Sequence, residues 1–212
     1  MLVIKSRLDD QEIKIDIQTN TNYGVLLSGG IDSAVMLYLI IKAFKEANIE
    51  LNLKIFVIEK SDGSYMYVED IINWMNNRYG ITLPTAIAVG DPNVINTMIN
   101  RSALQDIFEN KFKDMNYVFV GLNQNPPEPF KMPGRYPNRP HNAPLPNRSP
   151  MPFLNLYKTH IIDLVFEHEL EELLDLTHTC TEQRIGRCNV CFQCNERIWA
   201  FQQLGYRDTG KQ

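Results

Sequence analysis

The segment 28–33 has the residue types of a phosphate-binding turn. Its two glycines let the backbone approach phosphate oxygens closely, and its two serine hydroxyls can donate hydrogen bonds. An apolar run precedes the turn and an apolar helical pattern follows it, so the N–H groups that start the helix would face a bound anion. The six residues are Ser28, Gly29, Gly30, Ile31, Asp32 and Ser33.

Asp32 is the acidic residue of this turn. Because a carboxylate is a poor direct neighbour of phosphate, Asp32 either orients the turn or helps to hold a magnesium ion that bridges phosphate oxygens. An ordinary helix N-cap is another interpretation of this residue. The sequence contains neither the Walker pattern nor the glycine pattern of dinucleotide folds. A glycine-rich turn that binds no ligand is the alternative for the whole segment.

Four cysteines near the carboxyl end form a second group with metal-ligand spacing, Cys-x7-Cys-x2-Cys-x2-Cys. Four soft ligands complete a tetrahedral structural zinc site, and an iron–sulfur cluster uses the same ligands. In a reducing compartment such a cluster holds metal rather than forming disulfides. We expect the metal to fix the last helix and the preceding loop against the domain. The four residues are Cys180, Cys188, Cys191 and Cys194.

Length and composition predict one ordinary globular domain. The chain has 212 residues, of which 44% are hydrophobic and 22% charged. A net charge of -4 provides no general attraction for polyanions, so nucleic acid is not an expected partner. No segment approaches the ~18 consecutive apolar residues of a membrane span, and the first residues lack the pattern of a secretory signal. We therefore expect a cytoplasmic location and no membrane partner.

Strand and helix patterns alternate along the first part of the chain. After an initial hairpin, this alternation predicts a doubly wound α/β fold with a mostly parallel sheet, followed by a small helical part that carries the cysteines. The predicted strands are 2–5, 12–17, 23–27, 53–58, 85–89 and 117–120. The predicted helices are 34–47, 68–79, 103–112, a helical region 156–174, and 196–204.

Ten of the 12 prolines fall between Pro126 and Pro152. A segment so rich in proline forms neither a helix interior nor a central strand. It is either a loop that becomes ordered on a ligand or partner, or a flexible insert. The expected organisation is a nucleotide-binding domain over 1–123, a substrate or lid loop over 124–152, and a helical part with the metal site over 153–212.

Two further expectations concern polar residues outside the main motifs. The turn 61–64 follows a predicted strand at the edge of the sheet where ligands bind, but a plain turn is the favoured interpretation. His160 and His168 lie on a predicted helix and are expected to face solvent. His178 is expected to lie beside the metal site or at the surface rather than to bind the metal.

The turn 28–33 matches the Ser-Gly-Gly-x-Asp-Ser signature of the PP-loop ATP pyrophosphatase superfamily. This resemblance implies the superfamily's adenine-nucleotide α-hydrolase-like fold. It also implies that the loop binds the pyrophosphate part of ATP. In that superfamily an oxygen of the substrate is adenylated and pyrophosphate is released.

The order of motifs along most of the chain is similar to that of the 7-cyano-7-deazaguanine synthase family. The motifs are the loop, a helix that begins at Lys158, a Thr-x-x-Cys at 177–180, and the cysteine pattern followed by Glu196 and Arg197. The resemblance implies ATP, Mg²⁺, Zn²⁺ held by the four cysteines, and a homodimer. It implies that ammonia and 7-carboxy-7-deazaguanine are the substrates, with the carboxylate becoming an amide and then a nitrile.

The resemblance also implies site residues, and it is weakest in the proline-rich segment. Asp32 and Lys158 are the candidate catalytic residues. Asn138 and His141 stand where the family has Asp and Glu, so the acceptor and the extent of reaction stay open. The alternatives are a reaction that stops at the amide, a different acceptor such as a tRNA base, or a module that binds ATP or a partner without turnover. The candidate substrate-binding residues are Asn123, Arg135, Tyr136 and Arg139.

Overall fold

The chain begins with an antiparallel hairpin that covers one side of the domain. In this computed structural model, which describes residues 1–94, 98–127 and 145–210, the hairpin consists of β1 (Leu2–Lys5) and β2 (Glu12–Ile15). The register pairs Leu2 with Ile15. Because side chains alternate across a strand, each strand buries its apolar face in the core and exposes the other. The hairpin predicted from the sequence is confirmed.

The central sheet has four parallel strands in the order β5-β4-β3-β6. They are β3 (Tyr23–Leu26), β4 (Leu53–Val57), β5 (Ile87–Ala88) and β6 (Tyr117–Val120). All four residues of β3 are buried, as expected for a central strand covered on both faces. The order of the strands reverses between β3 and β6, and the crevice at such a point is where ligands of open α/β sheets bind. The doubly wound, parallel fold class predicted from the sequence is confirmed.

Helices cover both faces of the sheet. One face packs with the hairpin and most of the helices in a large apolar core, and the other packs with the helix that precedes β6. The helices are α1 (Ile31–Glu46), α2 (Val68–Tyr79), α3 (Ile99–Gln105), α4 (Lys158–Glu167), α5 (Leu173–Leu176) and α6 (Phe192–Leu204). Among the described residues, no helix combines the length and the apolar character needed to cross a membrane.

Several elements differ in extent from the sequence prediction; α1, for example, begins at Ile31 rather than at 34. The paired part of β5 is only two residues long, and α3 continues as a π-helical turn over Asp106–Lys111. The predicted helical region 156–174 is divided, because α4 ends at Glu167 and Glu169 adopts a left-handed conformation with φ 55°. The last helix begins at Phe192, earlier than predicted, because the Cys191 sulfur accepts a hydrogen bond from the Cys194 N–H and caps it.

The expectation that His160 and His168 face solvent is wrong. His160 is buried, its Nε2 lies 2.9 Å from a carboxylate oxygen of Asp9, and its Nδ1 accepts from the Tyr157 N–H. His168 is half-buried against the Tyr38 ring, and its Nε2 is enclosed without a partner among the described residues. Both side chains face inward because α4 lies between α1 and α6 rather than on the surface.

Candidate functional site

The turn between β3 and α1 has the geometry of an anion-binding loop. Gly29 adopts the left-handed conformation with φ 81°, which an L side chain rarely tolerates. The Ser33 hydroxyl accepts from the Ser28 N–H at 3.1 Å, donates to the Gly30 carbonyl at 3.0 Å, and lies 3.0 Å from the Ser28 hydroxyl. These hydrogen bonds fix the turn around the start of α1.

The amino end of α1 begins at this turn. Its N-cap is Gly30, which has no side chain to satisfy the first N–H groups of the helix. Unsatisfied N–H groups and the helix dipole together favour a bound anion. α1 is 16 residues long and deeply buried, so its amino end is held rigidly at the crevice. The arrangement can bind the phosphates of a nucleotide.

Two other segments pack directly on Gly29. A Cβ atom added there would lie 1.9 Å from the Ser64 carbonyl oxygen, so the turn 61–64 occupies the space a side chain would need. On another side, the His178 N–H donates to the Gly29 carbonyl at 2.9 Å. The turn 61–64 is therefore part of the wall of the site, which the sequence interpretation as a plain turn did not include.

Lys158 and Asp32 meet at the amino ends of their helices. The Lys158 Nζ lies 2.5 Å from both carboxylate oxygens of Asp32. The side chains are 6% and 20% exposed, so the pair lies at the wall of the site with Asp32 toward the opening. The structure thus brings together the two residues that sequence reasoning proposed as catalytic, although their roles stay predictions.

Glu196 is the third charged residue of this group, and sequence reasoning did not select it. One of its carboxylate oxygens lies 3.8 Å from the Lys158 Nζ, and the other accepts from the Asn123 side-chain amide at 3.3 Å. The residue is fully buried. Asn123 is itself buried at the end of β6, so its amide contacts this group of charges rather than open solvent.

A crevice of about 130 Å³ opens beside the loop at the carboxyl ends of β3, β4 and β6. Gly121 allows β6 to come close to α1, since a Cβ there would lie 3.1 Å from the Ser33 backbone. Apolar and polar groups both line the crevice, as is typical of small-molecule sites. The lining residues are Leu26, Ser28, Asp32, Ser33, Ile58, Lys60, Asn100, Val120, Gly121 and Leu122.

The four cysteines form a compact cluster beside the amino end of α6. Their Sγ atoms all lie within 4.8 Å of one another. A tetrahedral site with Zn–S bonds of about 2.3 Å places its sulfurs about 3.8 Å apart, so a single ion fits with small movements. A [4Fe–4S] cluster binds each cysteine to a different iron, which spreads the sulfurs further. The donor set and its spacing suit one tetrahedral metal ion.

Backbone N–H groups are already directed at the sulfurs. Cys188 accepts from the Cys191 N–H at 3.2 Å, and Cys191 accepts from the Cys194 N–H at 3.4 Å. The hydrogen bond from the Cys194 thiol lowers the pKa of Cys191 to about 4, against the effect of burial. The same contact, with burial, raises the pKa of Cys194. The thiolate is the form of cysteine that binds metal, and the N–H groups directed at the sulfurs favour that form.

The residues around the four cysteines contact the segment 61–67 and the last residues described. Arg184 donates to the Ser61 carbonyl at 3.2 Å, and the His178 ring stacks on Tyr67 at 5.0 Å. Arg197, on α6, is 1% exposed and makes a bidentate ion pair with Asp208. Together with the hydrogen bond from the His178 backbone N–H to Gly29, these contacts link the cysteine cluster to the turn 28–33.

The predicted substrate residues are only partly described. Asn123 donates a hydrogen bond to Glu196, and the other carboxylate oxygen of Glu196 faces Lys158. Arg135, Tyr136 and Arg139 fall in 128–144 and lie outside the described residues. Most of the predicted loop 124–152 is outside them too, so the division of the chain at 123 and 152 stays a prediction. In the described parts, α4 and α6 share the apolar core of α1.

Several solved structures resemble this chain distantly, and two of them are named below. Neither a protein-family model nor a curated protein matches the sequence. The Candida glabrata FMN adenylyltransferase in complex with FMN and the ATP analogue AMPCPP is 19% identical over 69% of this chain, with a TM-score of 0.44. The U34-tRNA thiolase NcsA from Methanococcus maripaludis with its [4Fe-4S] cluster is 14% identical over 88%, with a TM-score of 0.42. The matches cover 48% and 65% of those two chains.

Proposed function

We propose that this chain is a PP-loop enzyme that uses ATP to adenylate a carboxylate, and that it converts 7-carboxy-7-deazaguanine and ammonia to 7-cyano-7-deazaguanine. One observation carries the ATP part of the proposal. The glycine turn at the amino end of α1 opens on the crevice where the strand order reverses, with Lys158 and Asp32 beside it. The acceptor is proposed from the resemblance in the order of the sequence motifs.

Binding of the triphosphate would use the turn and two charged side chains. The N–H groups at the start of α1 and the hydroxyls of Ser28 and Ser33 would donate hydrogen bonds to the phosphate oxygens. Lys158 would add a positive charge where negative charge develops on the leaving pyrophosphate. Asp32 would hold Mg²⁺, which when bound neutralises phosphate charge.

The chain has little covalent chemistry to perform in this reaction. It must hold the substrate carboxylate in line with the α-phosphorus and exclude water from the adenylated product. The carboxylate oxygen attacks that phosphorus and pyrophosphate leaves. Ammonia then displaces AMP to give the amide, and a second adenylation, on the amide oxygen, followed by loss of AMP gives the nitrile. We also propose Asn123, three residues beyond the end of β6, as a contact of the acceptor, as the family resemblance implies.

We propose Zn²⁺ as the metal of the cysteine cluster, with a structural role. The sulfur spacing supports a single tetrahedral ion, and four thiolate ligands leave no open position for a reacting water. All four cysteines of the chain belong to this group, so none is left to carry sulfur. This favours the ligase over transfer of sulfur to a tRNA base.

The decisive experiment is mass spectrometry of a reaction with purified protein, ATP, Mg²⁺, ammonium and 7-carboxy-7-deazaguanine. AMP and pyrophosphate are assayed in parallel. We expect the nitrile, together with AMP and pyrophosphate that depend on the acceptor. An amide as the final product would limit the proposal to the first half of the reaction. AMP formed with tRNA, but not with the deazaguanine, would show that the acceptor is a tRNA base. The absence of AMP under every condition would favour a module that binds ATP or a partner without turnover.

A pair of variants shows whether the measured activity belongs to this site. Asp32→Asn removes the carboxylate at the opening of the crevice, and Asp70→Asn removes an exposed carboxylate from the first turn of α2. We expect only the first to stop AMP formation. The homodimer is part of the same proposal, and light scattering of the purified protein checks it.

A further inference from the structure

The Lys158 ammonium lies between two carboxylates that differ in exposure. The Asp32 side chain is 20% exposed and faces the crevice, whereas the Glu196 side chain is 1% exposed and lies behind the ammonium. The distances are 2.5 Å to Asp32 and 3.8 Å to Glu196. The nearer partner is therefore the one that a ligand can reach, and the farther one is enclosed by protein.

Glu196 is held firmly in this place by its own surroundings. Asn123 donates to one of its oxygens, as described above. The next residue on α6, Arg197, is bound by Asp208 and by the Thr179 hydroxyl, which fixes the rotation of the helix about its axis. A buried carboxylate needs paired charge and hydrogen bonds to offset its desolvation. Lys158 and Asn123 supply both.

The proposed function requires Asp32 to change partner. A carboxylate whose two oxygens both contact one ammonium is not free to bind Mg²⁺, and the two cations repel each other. Lys158 must therefore move away from Asp32 when Mg²⁺ and the nucleotide enter. The Lys158 side chain is only 6% exposed, so leaving its ammonium without an anion would be costly. Glu196, already 3.8 Å away, is the receiving carboxylate.

We propose that Glu196 is a positioning residue, which takes over the Lys158 ammonium so that Asp32 can bind Mg²⁺ while the positive charge stays beside the phosphates. The proposal rests on the proposed ATP site and adds the means by which that site accepts the metal. It also explains why a glutamate lies on the buried face of α6, where apolar residues are usual.

The test is the effect of Mg²⁺ on nucleotide binding, which requires no turnover. The dissociation constant of α,β-methylene-ATP is measured by calorimetry with and without Mg²⁺ for the metal-loaded protein and for Glu196→Gln. We expect Mg²⁺ to tighten binding in the parent chain and Glu196→Gln to reduce that tightening by about fivefold or more. Binding without Mg²⁺ should change by less than about twofold, because Lys158 then remains with Asp32.

Two controls separate positioning from loss of structure. Glu50→Gln removes an exposed carboxylate and should leave both constants unchanged. Glu196→Asp keeps the charge but shortens the reach, so the Mg²⁺ effect should fall between those of the parent and Glu196→Gln. If Glu196→Gln fails to fold, Glu196→Asp serves as the test. The quantity compared is again the ratio of the dissociation constants without and with Mg²⁺. In an Asp32→Asn background, the glutamine substitution should cause no further loss of the Mg²⁺ effect.

The outcomes distinguish the two proposals. A parent chain in which Mg²⁺ does not tighten nucleotide binding overturns the proposed ATP site and this inference with it. A parent chain that shows the effect, together with a Glu196→Gln variant that shows it equally, overturns only the role of Glu196. Equal weakening with and without Mg²⁺ also overturns it, because a purely structural role would produce that result.

Discussion

The Lys158 ammonium contacts both carboxylate oxygens of Asp32, although 126 positions separate the two residues in the chain. Asp32 is in the first turn of α1 and Lys158 is the first residue of α4, so two helix amino ends meet at one site. The pair joins the turn 28–33 to the carboxyl-terminal part of the chain. Its charges are therefore expected to affect activity more than stability.

Asp32→Ala should reduce the formation of AMP and pyrophosphate by about 100-fold or more, because it removes a preorganised charged group from the reacting phosphates. The loss of unfolding free energy should be only about 1–3 kcal/mol, since Lys158 keeps Glu196 as an ion-pair partner. A coupled pyrophosphate assay and urea denaturation measure the two effects. Turnover at the level of the parent chain would remove Asp32 from the active site.

Gly29→Ala should abolish nucleotide binding and destabilise the domain. The added Cβ would lie 1.9 Å from the Ser64 carbonyl oxygen, in addition to the strain of a positive φ. Gly80→Ala is the matched control, because Gly80 also has a positive φ but no atom lies within 4 Å of its Cβ position. We expect the control to cost about 1–2 kcal/mol from backbone strain alone. Equal losses of stability in the two variants would contradict the close packing at Gly29.

Cys191→Ser should lower the amount of bound metal and the stability together. Loss of one of four sulfur ligands removes metal-binding free energy that is also folding free energy, and we expect more than about 4 kcal/mol. Elemental analysis and thermal unfolding measure both quantities. Val190→Ser, on an exposed neighbouring residue, should change neither. An unchanged metal content in Cys191→Ser would contradict the set of four ligands.

His168 should make the stability fall as the pH decreases below its ordinary pKa of 6.5. Burial, and then the charge of Lys42, lower its pKa below the ordinary value of 6.5. The unfolded chain therefore binds this proton more readily than the folded chain, so the contribution is complete above pH 6.5 and is lost as the pH falls through the folded pKa. His168→Phe keeps a ring against Tyr38 and should remove this component. Urea midpoints of both proteins above and below pH 6.5 test the prediction. Identical pH slopes would contradict it.

Much of the fold was predictable because local patterns and packing agree. The bounds of α2 and β6 follow from the sequence, since amphipathic spacing and a short apolar run meet clear turn residues. The end of α4 was not predictable. Its apolar period continues beyond Glu167, but the helix ends there and Glu169 adopts a left-handed conformation.

The candidate site was predictable where a motif lies in one continuous segment. The turn 28–33 and the cysteines have fixed spacings. Lys158 was selected through the resemblance to a family, and its contact with Asp32 was not predicted. Glu196 was missed, although a signal existed. It lies on the same stripe of α6 as Phe192 and Ala200, so its position in the helical period is that of a core residue. A charged residue at such a position indicates a buried partner.

The backbone N–H of His178 donates to the Gly29 carbonyl, so this one amide proton lies between the cysteine cluster and the turn 28–33. His178 is two residues before the first cysteine, and Gly29 is the left-handed residue of the phosphate turn. An amide exchanges with solvent only when its hydrogen bond opens, so its exchange rate measures the local opening free energy of that contact. Removal of the metal by a chelator should therefore accelerate deuterium uptake at His178. Nucleotide should slow deuterium uptake at the same amide, so the cysteine loop and the phosphate turn would unfold as one cooperative unit.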